Sequence, residues 1–180
     1  MKKQSAVAAV GAFTMALTMS TSLFAQQVVI SGSGSGAFEA TAAGAQNNAA
    51  VAQASCTVDR TAQTIACQAN VYNLVDLTAQ HIHVGGPGTS GPVIIPIPNP
   101  PLRISGSFGQ TWTWKASDFT PNPGIGLPDM DSFLQACAAG NCYLNWHTTV
   151  SGGGAVRVQL CPKSAAANTA NGIAVCTSGQ

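Results

Sequence analysis

Cys56-Thr57-Val58-Asp59-Arg60-Thr61-Ala62-Gln63-Thr64-Ile65-Ala66-Cys67-Gln68-Ala69-Asn70-Val71-Tyr72 carries the clearest architectural signal in the chain. Residues 56–58 and 65–72 read as strands, and the polar residues 59–63 between them read as a turn. Residues 52–74 are therefore expected to form a β-hairpin. A hairpin turning there sets Cys56 across from Cys67.

The flanking sequence repeats the same kind of signal in both directions. Val28-Val29-Ile30 starts a strand, residues 31–36 are a flexible Gly/Ser stretch, and residues 37–41 read as a second extended piece. Residues 42–54 are rich in Ala and Gln, which favours helix, yet Gly44 and Asn47-Asn48 suit a turn; a strand, a turn and a strand is the expectation. After the hairpin comes a strand at His81-Ile82-His83-Val84. A tight glycine loop over residues 85–92 then leads into residues 93–98, which Pro96, Pro98, Pro100 and Pro101 mark as an edge strand. Residues 103–115 show a strand pattern with Trp112 and Trp114 on one face.

One helix is expected, over residues 128–138, with Asp129 as N-cap and Gly140 as its stop. Residues 142–149 and 155–160 then form an antiparallel hairpin around the turn Ser151-Gly152-Gly153-Gly154. Residues 163–180 read as a C-terminal loop pinned by a disulfide. Many short strands with frequent Gly and Pro turns point to an all-β protein, an antiparallel β-sandwich or flattened barrel with one short helix.

Residues 1–25 read as a signal peptide: Lys2 and Lys3 form a basic start, residues 6–17 a small-residue-rich apolar core, and Ala25 ends a cleavage site. The apolar run is too short and too interrupted by Thr and Ser to make a good membrane span. Cleavage after Ala25 leaves a domain at residues 26–162 and the tail, secreted or periplasmic. The formal charge of +1 falls to near −1 once Lys2 and Lys3 are removed. The remaining basic residues, Arg60, Arg103, Lys115, Arg157 and Lys163, are scattered, which excludes a nucleic-acid stripe and a polybasic membrane patch.

Six cysteines in a chain bound for an oxidising compartment imply three disulfides. Local spacing favours Cys56 with Cys67, Cys137 with Cys142 around a small loop, and Cys161 with Cys176. A zinc cluster of cysteines would need a C-x-x-C knuckle, which is missing.

All three histidines of the chain fall in two strand-like pieces, residues 81–84 and 143–148. Strand alternation points His81 and His83 to one face. If the second piece lies alongside, His147 joins them, and three neutral imidazoles make a good copper or zinc site with an open position. Copper ranks first and zinc second, following the affinity order at nitrogen ligands. The competing reading is structural: histidines on a sheet also serve by hydrogen-bonding to backbone or to neighbours such as Asn145 and Tyr143.

Ala79-Gln80-His81-Ile82-His83, followed by Gly85-Gly86-Pro87-Gly88 and Gly91-Pro92-Val93, resembles the A-x-H-x-H and G-x-x-G-P-V core of the CHRD (chordin-type) domain family. Tyr143-Leu144-Asn145-Trp146-His147-Thr148 and Arg157-Val158-Gln159-Leu160 resemble its Y-x-N-x-H-T and R-x-Q-L end. The resemblance implies an exported, bacterial-type antiparallel β domain similar in architecture to copper,zinc superoxide dismutase. That enzyme's H-x-H pair at copper maps onto His81 and His83, and a late histidine onto His147. No further histidine exists here for a bridging ligand or a histidine-built zinc site, so a superoxide-handling enzyme is a minor alternative. The main rival to copper binding is a structural or adhesive surface module without metal, with a protein or glycan partner; Trp112, Trp114 and Trp146 would line a glycan surface. The glycine loop lacks the Lys and following helix of a phosphate cradle, and no G-x-S-x-G elbow supports hydrolysis.

Overall fold

The computed structural model describes residues 27–40, 49–97, 103–162, 165–170 and 173–178. The expected signal peptide and its Ala25 cleavage site, residues 42–48, and Pro98, Pro100 and Pro101 lie outside the described residues. Eight strands form one antiparallel sheet: β1 (Gln27–Ser35), β2 (Val51–Asp59), β3 (Thr64–Leu74), β4 (Leu77–Val84), β5 (Val93–Pro96), β6 (Gly106–Lys115), β7 (Cys142–Thr148) and β8 (Val156–Pro162). Their order is β5-β4-β7-β8-β1-β2-β3-β6. The sheet curls into a half-barrel, so the all-β antiparallel reading holds, and β5 with its Pro96 is an edge strand as expected.

Alternation sets which face is buried. On β2 and β3, Ala52, Ala54, Cys56, Val58, Ile65, Cys67, Ala69 and Val71 turn inward. Gln53, Gln68 and Asn70 face solvent on the other side. The register pairs Cys56 with Cys67, and their disulfide forms, as do Cys137–Cys142 and Cys161–Cys176. Ile82, Leu144, Trp146, Val158 and Leu160 continue the apolar face across β4, β7 and β8. The helix α1 (Met130–Ala138) closes it with Met130, Phe133, Leu134 and Cys137. Asp129 caps α1 by accepting from the Ser132 N–H at 2.8 Å, and Gly140 ends it at φ +83°. Trp114 and Trp146 are buried and Trp112 is half-buried, so these rings serve packing.

Three expectations change. Residues 31–35 of the Gly/Ser stretch are part of β1, which is paired to β2 along its whole length and to β8 at Ile30, Ser31 and Ser35. Its glycines are required by proximity: a Cβ on Gly32 would overlap the Gln159 carbonyl oxygen, and one on Gly34 the Arg157 carbonyl oxygen. Of the expected extended piece at 37–41, residues 37–40 do not continue as a strand, because Gly36–Phe38 form a 3-10 turn whose Ala37 N–H is held by Ser35 Oγ at 3.2 Å, and Thr41 lies outside the described residues. Finally, the tail is not a plain loop. Ala165–Ala170 (β9) and Ile173–Ser178 (β10) pair antiparallel, which satisfies backbone groups that a loop would leave to solvent.

Candidate metal centre

β4 and β7 lie side by side in antiparallel register, with Ala79 opposite His147, His81 opposite Asn145 and His83 opposite Tyr143. Across the next ladder, Asn145 faces Arg157 and Tyr143 faces Gln159 on β8. The period of two therefore gathers His81, His83, Tyr143, Asn145, His147, Arg157 and Gln159 on the face opposite the apolar core. On β7 and β8 these residues alternate with Cys142, Leu144, Trp146, Val156, Val158 and Leu160, and β4 adds His81 and His83 on either side of Ile82.

One ring nitrogen from each of His81, His83 and His147 lies within 4.8 Å of the other two. The chain thus brings together all three residues singled out from the sequence. His81 Nδ1 and His147 Nε2 are 3.1 Å apart. His83 Nδ1 lies 2.9 Å from the Gly91 carbonyl oxygen, and His147 Nδ1 lies 3.0 Å from that of Gly152. A carbonyl only accepts, so both Nδ1 atoms carry the proton and both Nε2 atoms present lone pairs. Backbone acceptors that fix ring tautomer in this way are the usual support of metal-binding histidines. His83 Nε2 is buried with no hydrogen-bond partner. Moving the His81 proton to its own Nε2 frees a third lone pair beside the other two.

Electrostatics keep these rings neutral. Burial lowers His83 to about 4, outweighing the bond to Gly91 that opposes it. Burial also lowers His81, helped by the neighbouring His147, and lowers His147 against the pull of Gly152. Neutral imidazole is the form that binds metal, so the site meets little proton competition near neutral pH.

A second layer holds the cluster. Tyr143 stacks on His83 with ring centres 4.7 Å apart and planes 11° from parallel. Its hydroxyl accepts from the Gly91 N–H at 3.0 Å. Arg157 donates to the carbonyls of Thr89 and Gly86 and to Gln159 Oε1, and Gln159 donates to the carbonyls of Gly85, Gly140 and Cys142. The glycine loop is thereby tied down over the polar face. Glu39, just past the 3-10 turn, accepts from Asn145 Nδ2 at 3.2 Å. Desolvation raises its carboxyl to about 7, although Arg157 and then Asn145 pull the other way.

Strand alternation puts Tyr143 and Asn145 on the histidine face, and both are there. Neither hydrogen-bonds to His147, which uses Gly152 and His81 instead. Two neighbours of the cluster are not singled out as site residues by the sequence: Arg157 counts there as a scattered basic residue and as the start of the R-x-Q-L motif, and Glu39 does not stand out at all. Arg157 and Gln159, alternating with Val156, Val158 and Leu160, do carry a legible signal: charge and amide at every second position of a buried strand. Glu39 lies 106 residues from Asn145 and carries none.

A disulfide-tied antiparallel β domain with a three-imidazole cluster on its polar face is what fold and site define. The chain belongs to the CHRD domain family, whose family model matches residues 30–160 and so takes in all three histidines. No curated protein and no solved structure matches the chain.

Proposed function

We propose that this CHRD-domain protein is exported, with cleavage after Ala25, and binds a copper ion through His81, His83 and His147. The observation that carries the reading is the buried, unpartnered Nε2 of His83 beside two further imidazole nitrogens. A buried lone pair without a donor is costly unless something fills it. Three nitrogen donors with an open position suit copper and zinc, and the affinity order favours copper. Export is supported by the signal-like residues 1–25, by three disulfides, and by the fact that no helix among the described residues is long and apolar enough to cross a membrane.

Copper titration of the mature protein, followed by absorption and spin-resonance spectroscopy, tests this with His81→Ala, His83→Ala and His147→Ala. Each substitution should weaken binding; equal weak binding by wild type and all three variants ends the metal reading. A second reading, a structural or adhesive surface module, is favoured by one feature: the ring bonds to Gly91 and Gly152 tie two loops to the sheet. Under that reading the same substitutions lower stability and leave copper binding negligible throughout.

A further inference from the structure

Asn145 is 3% exposed and sits directly across the ladder from His81 and two residues before His147, on their face. Its amide nitrogen is taken by Glu39 Oε2 at 3.2 Å, while its oxygen Oδ1 is buried and has no hydrogen-bond partner. No protein donor is engaged with it. The Nδ1 protons of His83 and His147 go to the Gly91 and Gly152 carbonyls. Arg157, opposite Asn145 on β8, spends both terminal nitrogens on Thr89, Gly86 and Gln159, and its Nε is itself unpartnered. An acceptor left open on Asn145, with a donor left open on Arg157 across the ladder, makes this a place for a water.

Three imidazoles leave one position open on a four-coordinate ion, and a water there is a donor made more acidic by the metal. We infer that Asn145 Oδ1 accepts a hydrogen bond from a water held at the open position of the metal bound by His81, His83 and His147. This inference rests on the metal reading above. It makes the centre an open one, whose exchangeable ligand is a small protonated oxygen molecule. Asn145 selects for a ligand that can donate, with Glu39 fixing which end of the amide faces it. Such outer partners typically contribute roughly 10- to 100-fold in metal affinity.

The test uses the mature protein loaded with divalent copper and pulsed spin-resonance measurements in light and heavy water. Wild type should show nitrogen couplings from imidazole together with a strong coupling from an exchangeable hydrogen on a directly bound oxygen, larger than the couplings of the ring N–H hydrogens, which exchange as well. Asn145→Ala should keep the nitrogen couplings, lose or shift the exchangeable one, and bind copper at least about tenfold more weakly. If wild type binds no copper, the metal reading itself fails. If wild type binds copper and shows no exchangeable hydrogen beyond those of the ring N–H groups, the water inference is overturned while the metal site stands. It is overturned equally if Asn145→Ala matches wild type in both affinity and coupling, which would leave the buried oxygen served by a water indifferent to the metal. The wild-type measurement decides the matter even where the variant fails to fold.

Discussion

The guanidinium of Arg157 lies 3.5 Å from the centre of the Tyr143 ring, pairing a buried cation with an aromatic face between neighbouring strands. Tyr143 in turn stacks on His83. A charge deprived of water is thus compensated by carbonyls and by a ring quadrupole, and the same ring sets the attitude of a candidate ligand.

Tyr143→Phe keeps the stack and removes the hydroxyl that accepts from the Gly91 N–H and donates to the Gly91 carbonyl oxygen. It should cost about 1–2 kcal/mol, the lower part of the range for an unsatisfied donor, because Gly91 is only part-buried. Tyr143→Leu should cost more, because Arg157 and His83 also lose their ring. Urea unfolding of the metal-free proteins ranks the two; equal losses would mean that the stack contributes nothing.

Glycines 32 and 34 divide from Gly152 on physical grounds. A Cβ at either of the first two meets a backbone carbonyl on β8 that cannot yield, whereas one at Gly152 meets nothing within 4 Å. Gly32→Ala and Gly34→Ala should each lose about 3 kcal/mol, at the upper end of overpacking costs. Gly152→Ala should stay within about 0.5 kcal/mol of wild type. Chemical denaturation of all three variants checks the contrast.

Glu39 gives stability an unusual pH slope. Its carboxyl titrates at about 7 when folded against an ordinary 4.5, so the folded state holds a proton that the unfolded chain releases. Stability from this group therefore falls as pH rises from about 4.5 to 7, by a total on the order of 2–3 kcal/mol, and is flat above that. His83, lowered to about 4, acts in the opposite sense between about 4 and 6.5, so the two partly cancel in wild type. Glu39→Gln removes the first effect alone. The variant's stability relative to wild type should climb between about pH 4.5 and 7 and then level off; a pH-independent difference would show that Glu39 is not buried as described.

Peptide mapping of the non-reduced protein should recover Cys56–Cys67, Cys137–Cys142 and Cys161–Cys176. Replacing Cys161 and Cys176 together by Ala should cost about 3 kcal/mol, as expected for a loop of that length. It should also release β9 and β10 to limited proteolysis while leaving β1–β8 resistant. Thermal melting and mass spectrometry of the digest report the two effects.

Much of this was legible in the sequence because strand alternation and short cysteine spacings are local signals. The Cys56–Cys67 hairpin, the capped helix and the shared face of His81 and His83 needed nothing beyond nearest neighbours. His147 could be placed because its strand is the partner of theirs. The misreadings lie where a distant contact overrides a local preference. Ser31-Gly32-Ser33-Gly34 looks flexible in isolation, but β8 needs a neighbour without side chains there. Glu39 looks like a surface carboxylate until the 3-10 turn lays it over Asn145 and Arg157.

The three disulfides join the first cysteine of the chain to the second, the third to the fourth and the fifth to the sixth, across separations of 11, 5 and 15 residues. No bridge encloses a cysteine belonging to another, and none is left over. An oxidant that meets this chain N-terminus first, as synthesis delivers it, arrives at the native set by joining each new thiol to the one still waiting. In an oxidising compartment, order of appearance alone would then specify the covalent framework, without the seconds-to-hours reshuffling that nested bridges call for.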